Sequence, residues 1–444
     1  TANRQSPWYM VAFGMIGASL SGVTFISIPG EVGTSGFSYF QVVLGYILGY
    51  YVIGTVLLPL YYRLNLISIY GYLEQRFGFF SYKTGAFFFI ISRLIGSSFR
   101  LFLVAGVLQI AVFDAAGIPF WITVLVTILL IWVYTFRGGI KTIVWTDTLQ
   151  TFLMLLAVGM TIYLIATEFD FNFGELINAS RSSENAYMFN WDWQSPRNFF
   201  KQFFSGAFIA IVMTGLDQDM MQKNLTCRNL QESQKNMFWF TIMLVIVNLF
   251  FLLLGSLLYY YAAEKNIALP ARTDDLYPML AVNHFSLWLG IIFILGIVAA
   301  AYSSADSALT ALTTSFCVDF LGFEKDLQRN RKGLRMMVHL GFCAITFFVI
   351  IVFRAINDDS VITSVFKAAG YTYGPLLGLF SFGLFTKRAL IDKWVPLVCL
   401  LSPIISYLIN INSEQLLFGY KFGFEILMLN GALTFLGLLF LSKK

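Results

Sequence analysis

Apolar residues run along this chain in blocks of about 20, separated by short polar segments, which is the length that crosses a bilayer as one helix. The blocks fall near 8–29, 38–62, 85–113, 118–136, 142–166, 200–222, 236–263, 285–321, 335–354, 361–385, 390–410 and 420–441. That pattern predicts an all-α polytopic membrane protein of about twelve spans, forming one membrane domain over 1–444. Two blocks read as weak helices. The first carries Gly14, Gly17, Ser19, Ser21, Gly22 and Pro29; the sixth carries Gly206, Thr214, Gly215, Asp217 and Asp219. Small residues at these places would also serve close helix packing. Polar groups accompany the glycines in both, which favours interrupted helices. Transporters built from inverted repeats place such breaks at matching positions in each half. The expected halves are 8–166 and 200–385, with 386–444 as additional helices.

Loop charge orients the chain. With the N-terminus inside, the inner segments hold the larger share of the 29 Lys and Arg residues, including the cluster Lys325, Arg329, Arg331, Lys332 and Arg335. The acidic segment 167–199 then lies outside and is long enough to fold over the surface.

Composition agrees. Hydrophobic residues make up 58% and charged residues 12%, about half the charged share of a soluble domain, so most of the surface meets lipid. The net charge of +5 is spread over loops rather than gathered in a patch, which argues against a nucleic-acid partner. The four cysteines show no paired spacing, and the two histidines, His284 and His339, have no Cys or Asp at ligand spacing. No phosphate loop, nucleophile elbow or zinc motif is present, so an enzyme is not expected.

Ionisable groups inside spans are costly and usually functional. The candidates are Arg93, Arg100, Asp147, Lys201, Asp217, Asp219, Asp306 and Lys367; Arg93, Arg100, Asp147 and Asp306 stand out, whereas Lys201 is near enough to a helix start to snorkel. The densest polar cluster inside a span is Ala299–Ser307. On a helix, Ser303, Asp306 and Ser307 share a face, with Ser304 beside it. Hydroxyl and carboxylate oxygens there suit a hard cation. The alternative is a polar packing seam, which would leave an intramembrane Asp without a partner.

Six stretches together resemble the sodium/solute symporter family: SLSGVTFISIPG at 19–30, SIYGYLEQRFG at 68–78, FRGGIKTIVWTDTLQ at 136–150, GLDQDMMQKNL at 215–225, AAAYSSADSAL at 299–309 and YGPLLGLF at 373–380. The resemblance implies a LeuT-type inverted repeat of five plus five helices, with a further helix before Thr1. It implies a sodium site formed by the carbonyls of Gly17, Leu20 and Ala300 and the hydroxyls of Ser303 and Ser304. A second cation site would use Asp147, Ser303, Asp306 and Ser307, with Asp306 standing where such members carry a hydroxyl. Solute would meet Ser21, Thr24, Gln41 and Asp217, and Arg93 or Arg100 would meet a carboxylate.

The expectation is a sodium-coupled symporter of a small organic solute, sugar-like or sialic-acid-like, working by alternating access in a bacterial inner membrane. The rivals are a membrane sensor that binds solute without moving it, and a carrier of another carboxylate, vitamin or amino acid. Solute identity, sodium stoichiometry and oligomeric state stay open at this stage.

Overall fold

The computed structural model describes residues 7–64, 69–137, 140–181, 187–323, 332–357 and 359–443, with side chains given for these except at 10, 13, 18, 134–148, 173, 181 and 301–303. Fifteen helices carry the architecture: α1 Trp8–Ser19, α2 Gly22–Ser35, α3 Tyr39–Leu64, α4 Phe79–Leu108, α5 Phe120–Arg137, α6 Ile140–Glu168, α7 Phe199–Gly215, α8 Gln218–Asn224, α9 Leu230–Glu264, α10 Leu287–Phe320, α11 Lys332–Ile356, α12 Val361–Thr372, α13 Gly374–Phe385, α14 Val395–Ile411 and α15 Ile426–Phe440. Among the described residues seven helices are long and apolar enough to cross a membrane, or eight if the bent pair α7–α8 counts as one span. Hydropathy alone predicted twelve. The difference lies partly in spans that the backbone divides, since neither half then reaches bilayer length.

The first predicted span is two short helices. Leu20 leaves the helical region at ψ 74°, and Ser21 is extended at ψ 169° before α2 begins. The sixth bends by 75° between α7 and α8. Asp217, extended at ψ 123°, caps the second piece by accepting from the Met220 N–H through its side chain. The predicted span 361–385 also divides, at Tyr373, into α12 and α13.

Close packing brings the breaks together. α3 and α7 cross where Gly45, Gly49 and Gly206 let the backbones meet: a Cβ on Gly45 would strike the Phe203 carbonyl, and one on Gly206 the Val42 carbonyl. α6 lies along α10 and also reaches α1, so the first break is flanked by both helices. The apolar interior, with Phe25, Phe251, Tyr277 and Phe293 packed ring against ring, fixes α2 against α9 and α10.

At the end that loop charge assigns to the outside, residues 187–198 fold back over α2 and α3. The Phe37 N–H donates to the Tyr187 carbonyl at 3.0 Å, and Arg197 donates to the Thr34 carbonyl and lies 3.4 Å from Glu31. A second tie holds the start of α12: Ser360 Oγ donates to Glu31 on α2 at 2.5 Å, and the Val361 N–H donates at 2.8 Å to Asp274, in the segment between α9 and α10.

Candidate functional site

One cavity lies beside both breaks. Its wall includes Ser21 and Thr24 from α2 and its cap, Tyr39, Tyr46 and Tyr50 from α3, Arg93 and Arg100 from α4, Asp219 from α8, Asn248 from α9, Ser304 and Ser307 from α10, and Phe366 from α12. Ser21 and Thr24 come from the turn after the first break, so helix interruption is what presents them. Thr24 Oγ1 donates to the Ser19 carbonyl at 3.2 Å, bridging the break.

The charged part of the cavity is organised by α8. The bend turns Asp219 toward α4 and α10, where it accepts from Arg93 at 2.8 Å and from Ser307 Oγ at 2.9 Å, with Lys223 at 3.7 Å. Arg93 also lies 3.6 Å from Asp217. Arg93 is therefore held between two carboxylates, which matches the cost of placing an arginine at this depth. Arg100, two turns further along α4, lines the same cavity and has no hydrogen-bond or ion-pair partner among the described residues.

Two residues expected to meet solute sit elsewhere. Gln41 is fully buried and outside the cavity wall: its Nε2 donates to the Ser38 and Arg197 carbonyls at 3.1 Å each, and its Oε1 accepts from the Asn190 N–H at 3.1 Å. It fastens the outer segment, a role set by a stretch about 150 residues away in sequence. Asp217 is likewise fully buried and outside the wall, committed to capping α8, to the Tyr373 hydroxyl at 3.4 Å and to Arg93. Asp219, two residues on, is the carboxylate that faces the cavity. Its i, i+4 relation to Lys223, just after a broken helix, is the signal in the sequence that could have singled it out.

The expected sodium ligands divide as follows. Gly17 and Leu20 carry carbonyls released by the first break, and both accept from Gln150 Nε2 on α6, at 3.2 Å and 2.7 Å. Ala300 is buried on α10. Ser304 Oγ is buried with no hydrogen-bond partner among the described residues. The Ser303 side chain lies outside the described residues, as does that of Asp147. Of the expected second cation set, Ser307 donates to Asp219 at 2.9 Å and Asp306 accepts from Thr310 at 3.3 Å.

A bundle with two interrupted helices flanking a polar cavity defines a class, the multi-pass membrane transporter. The sequence matches the sodium:solute symporter family over residues 1–391, and the chain belongs to that family. It is 27% identical over 416 residues to the sodium/sialic acid symporter NanT of Aliivibrio fischeri, covering 87% of this chain and 77% of that protein. It is 25% identical over 401 residues to the sodium/sialic acid symporter SiaT of Proteus mirabilis, covering 86% and 78%. A solved Na+-coupled sialic acid symporter in a substrate-bound outward-open state superposes with a TM-score of 0.79 at 20% identity, over 99% of this chain and 91% of that one. Mhp1, a nucleobase-cation-symport-1 family transporter, superposes in a closed conformation at 0.57 and 14% identity, over 98% and 91%. The family and the shared fold make this protein a Na+-coupled symporter of a small solute, a multi-pass membrane protein whose relatives are transporters and not enzymes.

Proposed function

We propose that the protein carries a small acidic, hydroxylated solute of the sialic-acid type together with Na+ across a bacterial inner membrane by alternating access. The observation that carries the choice of solute is Arg100. A guanidinium lining the cavity with no ion-pair partner among the described residues is a strong, bidentate receptor for a carboxylate. Arg93, which shares the wall, is already committed to Asp217 and Asp219. Asp219, Ser21, Thr24, Asn248 and the tyrosines of α3 would meet hydroxyl and amide groups. The sialic acid symporters among its relatives fit the same chemistry.

In this reading the sodium ion sits between the first break and α10, held by the carbonyls of Gly17, Leu20 and Ala300 and the hydroxyls of Ser303 and Ser304. Freed carbonyls at one helix break and a buried Ser304 hydroxyl with no hydrogen-bond partner among the described residues support the assignment. Sodium there fixes the break, and so fixes Ser21 and Thr24, which begin the next helix. Each ligand then raises the affinity for the other by the same factor. The two breaks open corresponding five-helix repeats, 8–166 and 200–385. Rocking of the broken helices against α4 and α10 exposes the cavity to each side in turn.

The test is uptake of labelled sialic acid by the purified protein in liposomes. A sodium gradient should drive accumulation, a potassium gradient should not, and Arg100→Gln should cut uptake at least tenfold. Sodium-driven uptake of a neutral sugar that is indifferent to Arg100→Gln would overturn the choice of solute.

A further inference from the structure

Gln150 closes the stretch FRGGIKTIVWTDTLQ, and none of the roles above uses it. It is fully buried on α6. Its amide nitrogen donates to the two carbonyls of the first break, Leu20 at 2.7 Å and Gly17 at 3.2 Å, and lies 3.6 Å from Met154 Sδ. Its amide oxygen is buried and has no hydrogen-bond partner among the described residues. The hydroxyl of Ser304, on the neighbouring helix α10, is in the same condition. Leaving a buried acceptor unpaired costs about 1–3 kcal/mol, so two such oxygens around one helix break call for an explanation.

A primary amide has a donor end and an acceptor end of nearly equal size, and its terminal torsion is soft and roughly two-fold. Turned one way, the nitrogen ties down the freed carbonyls. Turned the other way, the oxygen points where the nitrogen now points, toward the same two carbonyls. Three oxygens facing one another are repulsive unless a cation lies among them, and a hard monovalent cation is what such a set binds. We infer that Gln150 is a sodium-responsive switch at the first break: its amide nitrogen bonds Gly17 and Leu20 in one setting, and its amide oxygen joins their carbonyls as a ligand to Na+ in the other. The inference rests on the placement of sodium between the first break and α10. It adds a residue from a third helix, so that ion binding ties α6 as well as α10 to the break. It also removes the need to strip the carbonyls of partners before the ion arrives, because one rotation converts the donor into a ligand.

The experiment is titration of purified full-length protein with NaCl against choline chloride at constant ionic strength, reading sodium affinity from thermal stabilisation in wild type, Ser304→Ala, Gln150→Leu and Gln150→Glu. Ser304→Ala should weaken sodium binding, which tests the site itself. Gln150→Leu, which keeps the size and removes both ends of the amide, should weaken it at least tenfold. Gln150→Glu, which keeps the oxygen and loses the donor, should strengthen it. The opposite signs separate a ligand from a packing residue, for which both variants would move affinity in the same direction. Gln150→Leu binding as tightly as wild type or tighter, while Ser304→Ala weakens it, overturns the switch and leaves the site standing. Indifference of wild type to sodium overturns both. If Gln150→Leu does not yield folded protein, the Glu variant decides: unchanged or weaker sodium binding sinks the proposal.

Discussion

The two helix breaks solve the same problem in different ways. At the second, the freed carbonyls have permanent partners: the Tyr61 hydroxyl donates to Gly215 and the Tyr70 hydroxyl to Leu216, both at 2.9 Å, and Asp217 caps the helix that follows. All three donors or caps are buried protein groups. At the first break, the carbonyls of Gly17 and Leu20 both accept from one amide, and among the described residues two buried oxygens beside them, Gln150 Oε1 and Ser304 Oγ, have no hydrogen-bond partner. A completed break is a rigid bend. An incomplete one calls for a ligand. The second break therefore sets the cavity's shape and its fixed charges, and the first is where an ion changes the protein.

Breaking that contrast at its strongest point should have the largest effect. Replacing Ser304 with Ala removes an oxygen from the incomplete break, and the sodium concentration giving half-maximal uptake should rise at least tenfold. At the second break, Tyr70→Phe leaves the Leu216 carbonyl buried without its donor. That should destabilise the folded protein by about 1–3 kcal/mol, read as a lowered melting temperature, while sodium affinity stays unchanged. A large loss of sodium affinity in Tyr70→Phe would erase the distinction between the breaks.

A smaller effect should come from the outer tie between the start of α12 and Asp274. Burial pushes the Asp274 carboxyl up to about 6 from its ordinary 3.8, while the Val361 N–H, Ser27 and Arg272 pull it down and Asp275 pushes it up. With the buried pKa raised, the closed tie takes up a proton as pH falls through 6, whereas an exposed carboxyl stays ionised until near 3.8. The tied arrangement at the outer end is thus favoured on going from pH 7.5 to pH 5, and that gain is lost as pH rises through 6. A cysteine placed at Thr24 should be labelled from the outer side a few-fold more slowly at pH 5, relative to the same cysteine in an Asp274→Asn background. The four native cysteines are buried and should contribute little. Equal ratios at both pH values would remove Asp274 from the outer tie's pH response.

Much of this contrast was legible in the chain. Glycine and serine clusters at 14–22 and the Thr214–Asp219 stretch marked both breaks, because helix-weakening residues act locally. Arg93, Arg100, Ser21, Thr24, Ser304 and Ser307 do reach one cavity, since an ionisable or hydroxyl group deep in a span is costly anywhere else. What the chain did not reveal depends on distant partners. Gln41 resembles a solute contact until residues 190 and 197 fold onto it. Asp217 and Asp219 look interchangeable until a 75° bend points one at a helix end and the other at the cavity. Nothing local marks Tyr61, Tyr70 or Gln150 as a donor to a helix break, because the carbonyl each one meets lies on another helix.

The most direct test of the account compares backbone hydrogen exchange at the two breaks, in purified protein, with sodium or potassium at equal ionic strength. The account predicts that sodium slows exchange in the peptide spanning residues 17–25 and leaves the peptide spanning 214–221 unchanged. Equal slowing at both breaks, or slowing confined to the second, would contradict it.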